Sequence, residues 1–264
     1  MSPRTYTTSE IAEAVGIHPN TVRYYEQTGF ITQAERKPNG YRVFTDEHLL
    51  QIRLIRLALQ VEIVQNNLRH EAIGIIKAMS ARNYRQAASL ALVRLEHLKR
   101  DQKAAGEAVA TVHDILAATQ RDEDGALITR AAAAKSLYTT IDCLRNWEMN
   151  GLFSAKRSQN GYRVYTESDL DRLRIIKILR DAGYSLVAIH RLFAQLDANR
   201  RVDIHRTLDT PAPDEDILSV CDKLQTSLAL AERHSHEIIE LLSCLEEMRA
   251  NSETPSNETS TEDH

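Results

Sequence analysis

The side chains best equipped for chemistry in this sequence hydrogen-bond or carry positive charge; they are not nucleophiles. One set gathers Asn20, Thr21, Arg23 and Tyr24, followed by Arg36, Lys37, Tyr41 and Arg42. A second set has the same order: Thr140, Asp142, Arg145 and Asn146, then Lys156, Arg157, Tyr162 and Arg163. Arginine forks onto guanine in the major groove, asparagine pairs with adenine, and a carboxylate such as Asp142 accepts from cytosine. Tyrosine, lysine and arginine also reach backbone phosphates, which position a protein without reading sequence. All of these residues are candidate DNA contacts. A purely structural alternative stays open, in which Arg23 pairs with Glu26 or Glu13 and Tyr24 is a partly buried ring.

Other chemistries have little support. No phosphate loop, nucleophile elbow or paired-acid motif is present, so no enzyme is expected. Cys143, Cys221 and Cys244 include no closely spaced pair, and His234 and His236 stand i, i+2 on a helical stretch and face different ways. Neither set is expected to hold a metal, and no cofactor is expected. No apolar run approaches the roughly 18 residues of a membrane span, and the start lacks an apolar signal region, so a soluble cytoplasmic protein is expected.

The elements that position the candidates follow from local rules. Thr8–Val15 opens with cap-type residues, carries Ile11 and Val15 at i, i+4, and stops at Gly16. His18-Pro19-Asn20 forms a tight turn into a second helix over Thr21–Gln27, with Val22 and Tyr25 facing the core. Two short helices about such a turn make a helix-turn-helix. Phe30–Thr32 and Tyr41–Phe44 flank a polar segment containing Asn39-Gly40, which predicts a small hairpin. Thr45-Asp46-Glu47 then caps a third helix.

The pattern repeats. Asn39-Gly40-Tyr41-Arg42-Val43-Phe44-Thr45 returns as Asn160-Gly161-Tyr162-Arg163-Val164-Tyr165-Thr166 with one difference, Phe for Tyr. Arg23-Tyr24-Tyr25-Glu26 matches Arg145-Asn146-Trp147-Glu148, and Gly29-Phe30 matches Gly151-Leu152. Matching blocks in the same order indicate a duplicated domain. In the second copy Trp147 is expected in the core, and helices are expected over Thr166–Asp181 and Leu186–Leu196.

Both copies resemble the winged-helix DNA-binding domain of the MerR family of transcription regulators, over about residues 5–70 and 126–196. The resemblance implies that the second helix of each copy enters the major groove while the wing grips flanking phosphates. It also implies binding to promoter DNA with distortion that realigns the polymerase recognition elements, and RNA polymerase as a partner.

After each copy comes a long helical stretch. Ala91, Leu95, Leu98, Gln102, Ala105, Val109, Val112 and Leu116 alternate by four and three; so do Ile217, Cys221, Leu224, Leu228, Ala231, Ser235, Ile238, Leu242 and Leu245. The predicted fold is mainly α, with two winged helix-turn-helix domains each followed by a long coiled-coil-type helix. The divisions are a first domain (1–75), a first long helix (76–120), a linker (121–125), a second domain (126–200), a connector (201–213), a second long helix (214–250) and a disordered acidic tail (251–264). The short linker favours a single-chain pseudo-dimer over a homodimer with four heads. A small-molecule effector is left open.

The formal charge of −4 does not argue against DNA, because it is unevenly spread. Residues 1–60 carry +1 (seven basic, six acidic), and residues 126–200 carry +5 (twelve basic, seven acidic). Residues 201–264 carry −10 (five basic, fifteen acidic). Binding depends on local faces, not on the sum. The expected function is a sequence-specific DNA-binding transcription regulator with two non-identical heads. Two alternatives remain: an excisionase-like or architectural DNA-bending protein, and a regulator whose second head is mainly a protein-interaction module, as Asp142 and Asn146 would permit.

Overall fold

A computed structural model describes residues 4–60, 68–118, 127–198, 202–210 and 223–253. The protein is mainly helical, and its strands form two small antiparallel sheets. It packs as two units, Met1–Leu98 with Leu230–His264, and Lys99–Ala229. The units do not follow the repeat boundaries: each takes one winged helix and a part of each long helix.

The first unit begins with β1 (Thr5–Tyr6), α1 (Thr8–Val15) and α2 (Pro19–Gln27). Strands β2 (Glu35–Arg36) and β3 (Arg42–Thr45) form the wing, and α3 (Asp46–Leu59) and α4 (Leu68–Ser80) close the head. Helix α1 starts with a reciprocal capping box between Thr7 and Glu10 and ends at Gly16 in the left-handed region. The sheet order is β1-β3-β2. Ile11, Val22, Phe44, Ile52 and Ile55, all fully buried, make the core of head 1; each such side chain contributes about 1.5–3 kcal/mol on burial.

Helix α5 (Tyr84–Ala118) is the first long helix; its first turns belong to this unit. The other long helix, α11 (Leu224–Glu253), contributes its C-terminal part. Ile238, Leu242 and Leu245 of α11 share one core with Ile75, Ile76 and Met79 of α4 and Ala87 and Ala91 of α5. Glu246 pairs with Arg85 at 2.7 Å, and Arg249 donates to the Arg82 carbonyl at 2.8 Å. Arg82 itself, in the turn before α5, has a positive φ of 57° and forks onto Glu47 at the start of α3.

The second unit repeats the head: β4 (Ile128–Thr129), α6 (Arg130–Ser136), α7 (Ile141–Met149), β5 (Lys156–Arg157), β6 (Arg163–Tyr165), α8 (Glu167–Asp181) and α9 (Leu186–Ala198). Its sheet order, β4-β6-β5, is that of head 1. Leu144, Trp147, Tyr165, Leu173 and Ile176 are buried. A short helix, α10 (Ile204–Asp209), follows. Asp209 then accepts from the backbone N–H of Gln225 and Thr226 at the start of α11. Buried Tyr184 accepts from the Gln225 side chain at 2.6 Å, and burial pushes its phenol up to about 12.

Several expectations need correction. The first hairpin strand is Glu35–Arg36, not Phe30–Thr32. Ile31 is drawn into the core, and the Thr32 N–H and hydroxyl both donate to Gln51. Strands β1 and β4 were not anticipated; at two residues each they are too short for an alternating pattern. The connector contains α10, capped by Asp203 and held by Arg191, whose guanidinium donates to the carbonyls of Thr207 and Leu208. Helix α11 continues through Asn251 to Glu253, where a tail was expected. The linker 121–125, the seam positions Ile217 and Cys221, and the tail beyond 253 lie outside the described residues.

Candidate nucleic-acid interface

In head 1 the recognition helix α2 starts at Pro19, with His18 as its cap: the imidazole Nδ1 accepts from Asn20 N–H at 3.1 Å. Val22 turns into the core, while Tyr25 is half-buried and stacks on Phe30 with centroids 6.2 Å apart. The opposite face presents Asn20, Arg23 and Tyr24 to solvent; Thr21 is half-buried. Tyr24 is 56% exposed, so the partly buried alternative does not hold for it. Arg23 bonds neither Glu26 nor Glu13 by any described contact; its guanidinium donates to Asn20 Oδ1 at 2.7 Å. Asn20 thereby aims Arg23, and its own oxygen is occupied.

The wing is built for exposure at its tip. Gly40 takes a φ of 82°, its N–H donates to the Lys37 carbonyl, and Asn39 Oδ1 accepts from Tyr41 N–H at 3.2 Å. This tight turn leaves Arg36, Lys37 and Tyr41 exposed. Arg42 behaves differently from the expectation of a free phosphate contact. It is half-buried, and its guanidinium is engaged by the almost fully buried Glu26 of α2. Glu26 also accepts from Ala34 N–H at 3.3 Å. The pair ties the wing strand to the recognition helix.

Head 2 repeats this frame. Thr140 caps α7, its hydroxyl accepting from Cys143 N–H at 3.1 Å, so this candidate serves first as a helix cap. Leu144 and Trp147 fill the core, and Asp142, Arg145 and Asn146 are exposed. Asn146 Oδ1 accepts from Asn150 at 3.2 Å. On the wing Lys156, Arg157 and Tyr162 are exposed. Arg157 donates to the Gly161 carbonyl at 3.3 Å, as Arg36 does to Gly40 at the same distance. Arg163 is held by Glu148 at 2.5 Å, and Glu148 also takes Arg130 at 3.1 Å.

Two glutamates, Glu26 and Glu148, and Arg130 were thus missed as site residues. A signal existed: Glu26 and Arg42 both recur unchanged in the second copy, as Glu148 and Arg163. Cys143 and Cys244 are free thiols, and among the described residues no three of His, Cys, Asp and Glu converge as metal ligands. Among the same residues no helix is long and apolar enough to cross a membrane.

The geometry defines a protein with two winged helix-turn-helix heads, each with an exposed polar recognition helix beside a basic wing. Comparison with known proteins specifies the class. A family described as MerR HTH family regulatory protein matches residues 129–196, and one described as MerR family regulatory protein matches residues 7–44. The chain thus carries two MerR-type regions in tandem.

It is 40% identical over 53 residues to the HTH-type transcriptional regulator CueR of Escherichia coli O6:H1, covering 20% of this chain and 39% of that protein. It is 43% identical over 70 residues to a probable heavy metal-dependent transcriptional regulator of Haemophilus influenzae, covering 26% and 55%. To the HTH-type transcriptional regulator ZntR of Escherichia coli K12 it is 39% identical over 62 residues, covering 23% and 44%. The matches span between 39% and 55% of these relatives' own lengths. No solved structure matches.

Proposed function

We propose that the chain is a sequence-specific, DNA-binding transcription regulator that occupies one operator with two non-identical heads. The observation that carries this is the doubled frame: in both heads an arginine of the recognition helix, Arg23 or Arg145, stands exposed beside an exposed basic wing. The relatives named above are transcriptional regulators, which supports the same reading. The faces differ at Asn20 against Asp142 and Tyr24 against Asn146, so the half-sites differ and the operator is asymmetric. Binding distorts promoter DNA, at a cost of a few kcal/mol, and so acts on RNA polymerase.

The chain works as a single-chain pseudo-dimer. In support, α11 packs against α4 and α5 within the first unit and buries Ile238, Leu242 and Leu245 there, which gives the first long helix a partner from its own chain. The test is binding of the full chain to genomic fragments, followed by titration of the selected operator. One chain per operator is the expected stoichiometry; two chains per operator contradict the pseudo-dimer, and the absence of any selected fragment contradicts the regulator.

A further inference from the structure

Three large apolar side chains stand exposed about the recognition helix of head 2: Tyr138 at 93%, Ile141 at 47% and Met149 at 77%. The corresponding positions in head 1 hold Gly16, Pro19 and Gln27. Tyr138 keeps the left-handed turn of Gly16, with φ 49° against 65°. A bulky residue there accepts backbone strain that glycine avoids. Its exposed ring adds nothing to the core of head 2. Each such group gains, at about 0.8 kcal/mol per methylene, from a ligand that covers it.

Their placement is specific. Met149 lies seven residues beyond Asp142, four beyond Arg145 and three beyond Asn146, so these four side chains share one helical face. All four are exposed, whereas Leu144 and Trp147 face the core. Ile141 begins the helix, one turn before Arg145. The outward face therefore has an apolar group at each end and hydrogen-bonding groups between them. Charged residues are depleted at the core of a protein–protein interface, whereas Asp142 and Arg145 stand in the middle of this face. Thymine methyls in a major groove require only isolated apolar contacts set among hydrogen-bonding groups. The exposed basic side chains of Lys156 and Arg157 on the wing favour the same occupant.

We infer that head 2 reads thymine, with Ile141 and Met149 packing on C5-methyl groups on either side of Arg145. This rests on the DNA-binding reading above. Head 1, with Pro19 and Gln27 at these positions, has no such contact.

The experiment uses the full chain and an operator selected from random duplex DNA. Each thymidine is replaced in turn by deoxyuridine, which removes only the methyl group. Affinity should fall about fourfold for each methyl that is contacted, within the half protected by head 2 and not in the other half. The variant combining Ile141→Ala and Met149→Ala should still fold, because alanine is favourable at exposed helix positions; it should bind more weakly and should lose its sensitivity to deoxyuridine. Binding that is indifferent to deoxyuridine, or a head 2 half-site without thymine, overturns the inference and leaves the DNA-binding reading standing. Failure to select any operator overturns both.

Discussion

The two heads share a frame and differ in what the frame displays. In each, a glutamate at the end of the recognition helix holds an arginine of the wing strand, and an arginine of β2 or β5 closes the wing turn through a glycine carbonyl. In head 1 the face held by that frame is polar and internally bonded, with Asn20 aiming Arg23. In head 2 it combines a carboxylate with exposed apolar groups, and a second arginine, Arg130, reinforces the glutamate. The residues that set the geometry survived duplication, while the exposed face of the recognition helix kept its arginine and changed around it, Asn20 to Asp142 and Tyr24 to Asn146. A duplicated chain can therefore read an asymmetric site, which two identical subunits related by symmetry do not.

The largest effect expected from breaking this comparison is on binding. Combining Arg23→Ala with Arg145→Ala removes the two arginines proposed to read bases, each such contact being worth about 1–3 kcal/mol. Specific affinity should fall about thirtyfold or more in a fluorescence-anisotropy titration, with little change in thermal stability, because both side chains are exposed. Next in size is the core. Trp147→Ala should cost head 2 about 3–5 kcal/mol, read as a lost or lowered transition in a denaturant titration of the full chain.

The glutamates should fall between core and surface. Glu26→Ala or Glu148→Ala strands its arginine partner at a half-buried position, at about 1–3 kcal/mol. Each change should also lower DNA affinity through its own head, because the wing loses its tie to the recognition helix. Arg42→Lys is the sharper variant, since lysine keeps the charge but not the guanidinium Nε–H that meets Glu26; affinity should drop even though phosphate attraction is preserved.

The smallest effects concern pH. His48 and His234 are buried, and burial holds both imidazoles below the ordinary value of 6.5. The unfolded chain takes up protons near 6.5 while the folded one stays neutral, so acid favours unfolding. Their contribution is complete above about pH 6.5 and is lost as pH falls toward the depressed folded values. Melting temperature should drop between pH 7.5 and pH 5. His234→Gln, which keeps an N–H for the Leu57 carbonyl that the imidazole now serves, should shrink that drop.

Much of this was legible before any coordinates. The repeat, the turn residues and the caps located both heads, while the first long helix, expected over 76–120, runs only from Tyr84 to Ala118 because α4 occupies the stretch up to Ser80. The outward faces of α2 and α7 followed from Val22, Tyr25 and Trp147 as core-facing residues. What escaped notice depends on distance along the chain. Arg42 reads as a wing cation until the fold brings Glu26, sixteen residues earlier, against it. Phe30–Thr32 reads as a strand until Gln51 satisfies the Thr32 backbone. Nothing local tells that Ile238, Leu242 and Leu245 pack against a core that begins at residue 6.

The claim at the centre is that one chain places two different heads on one operator. Footprinting of the selected operator with the Arg23→Ala and Arg145→Ala single variants tests it most directly. Loss of protection at one half-site for the first variant, and at the other half-site for the second, is the predicted result. Loss of the same half-site by both variants, or no loss from Arg145→Ala, contradicts it.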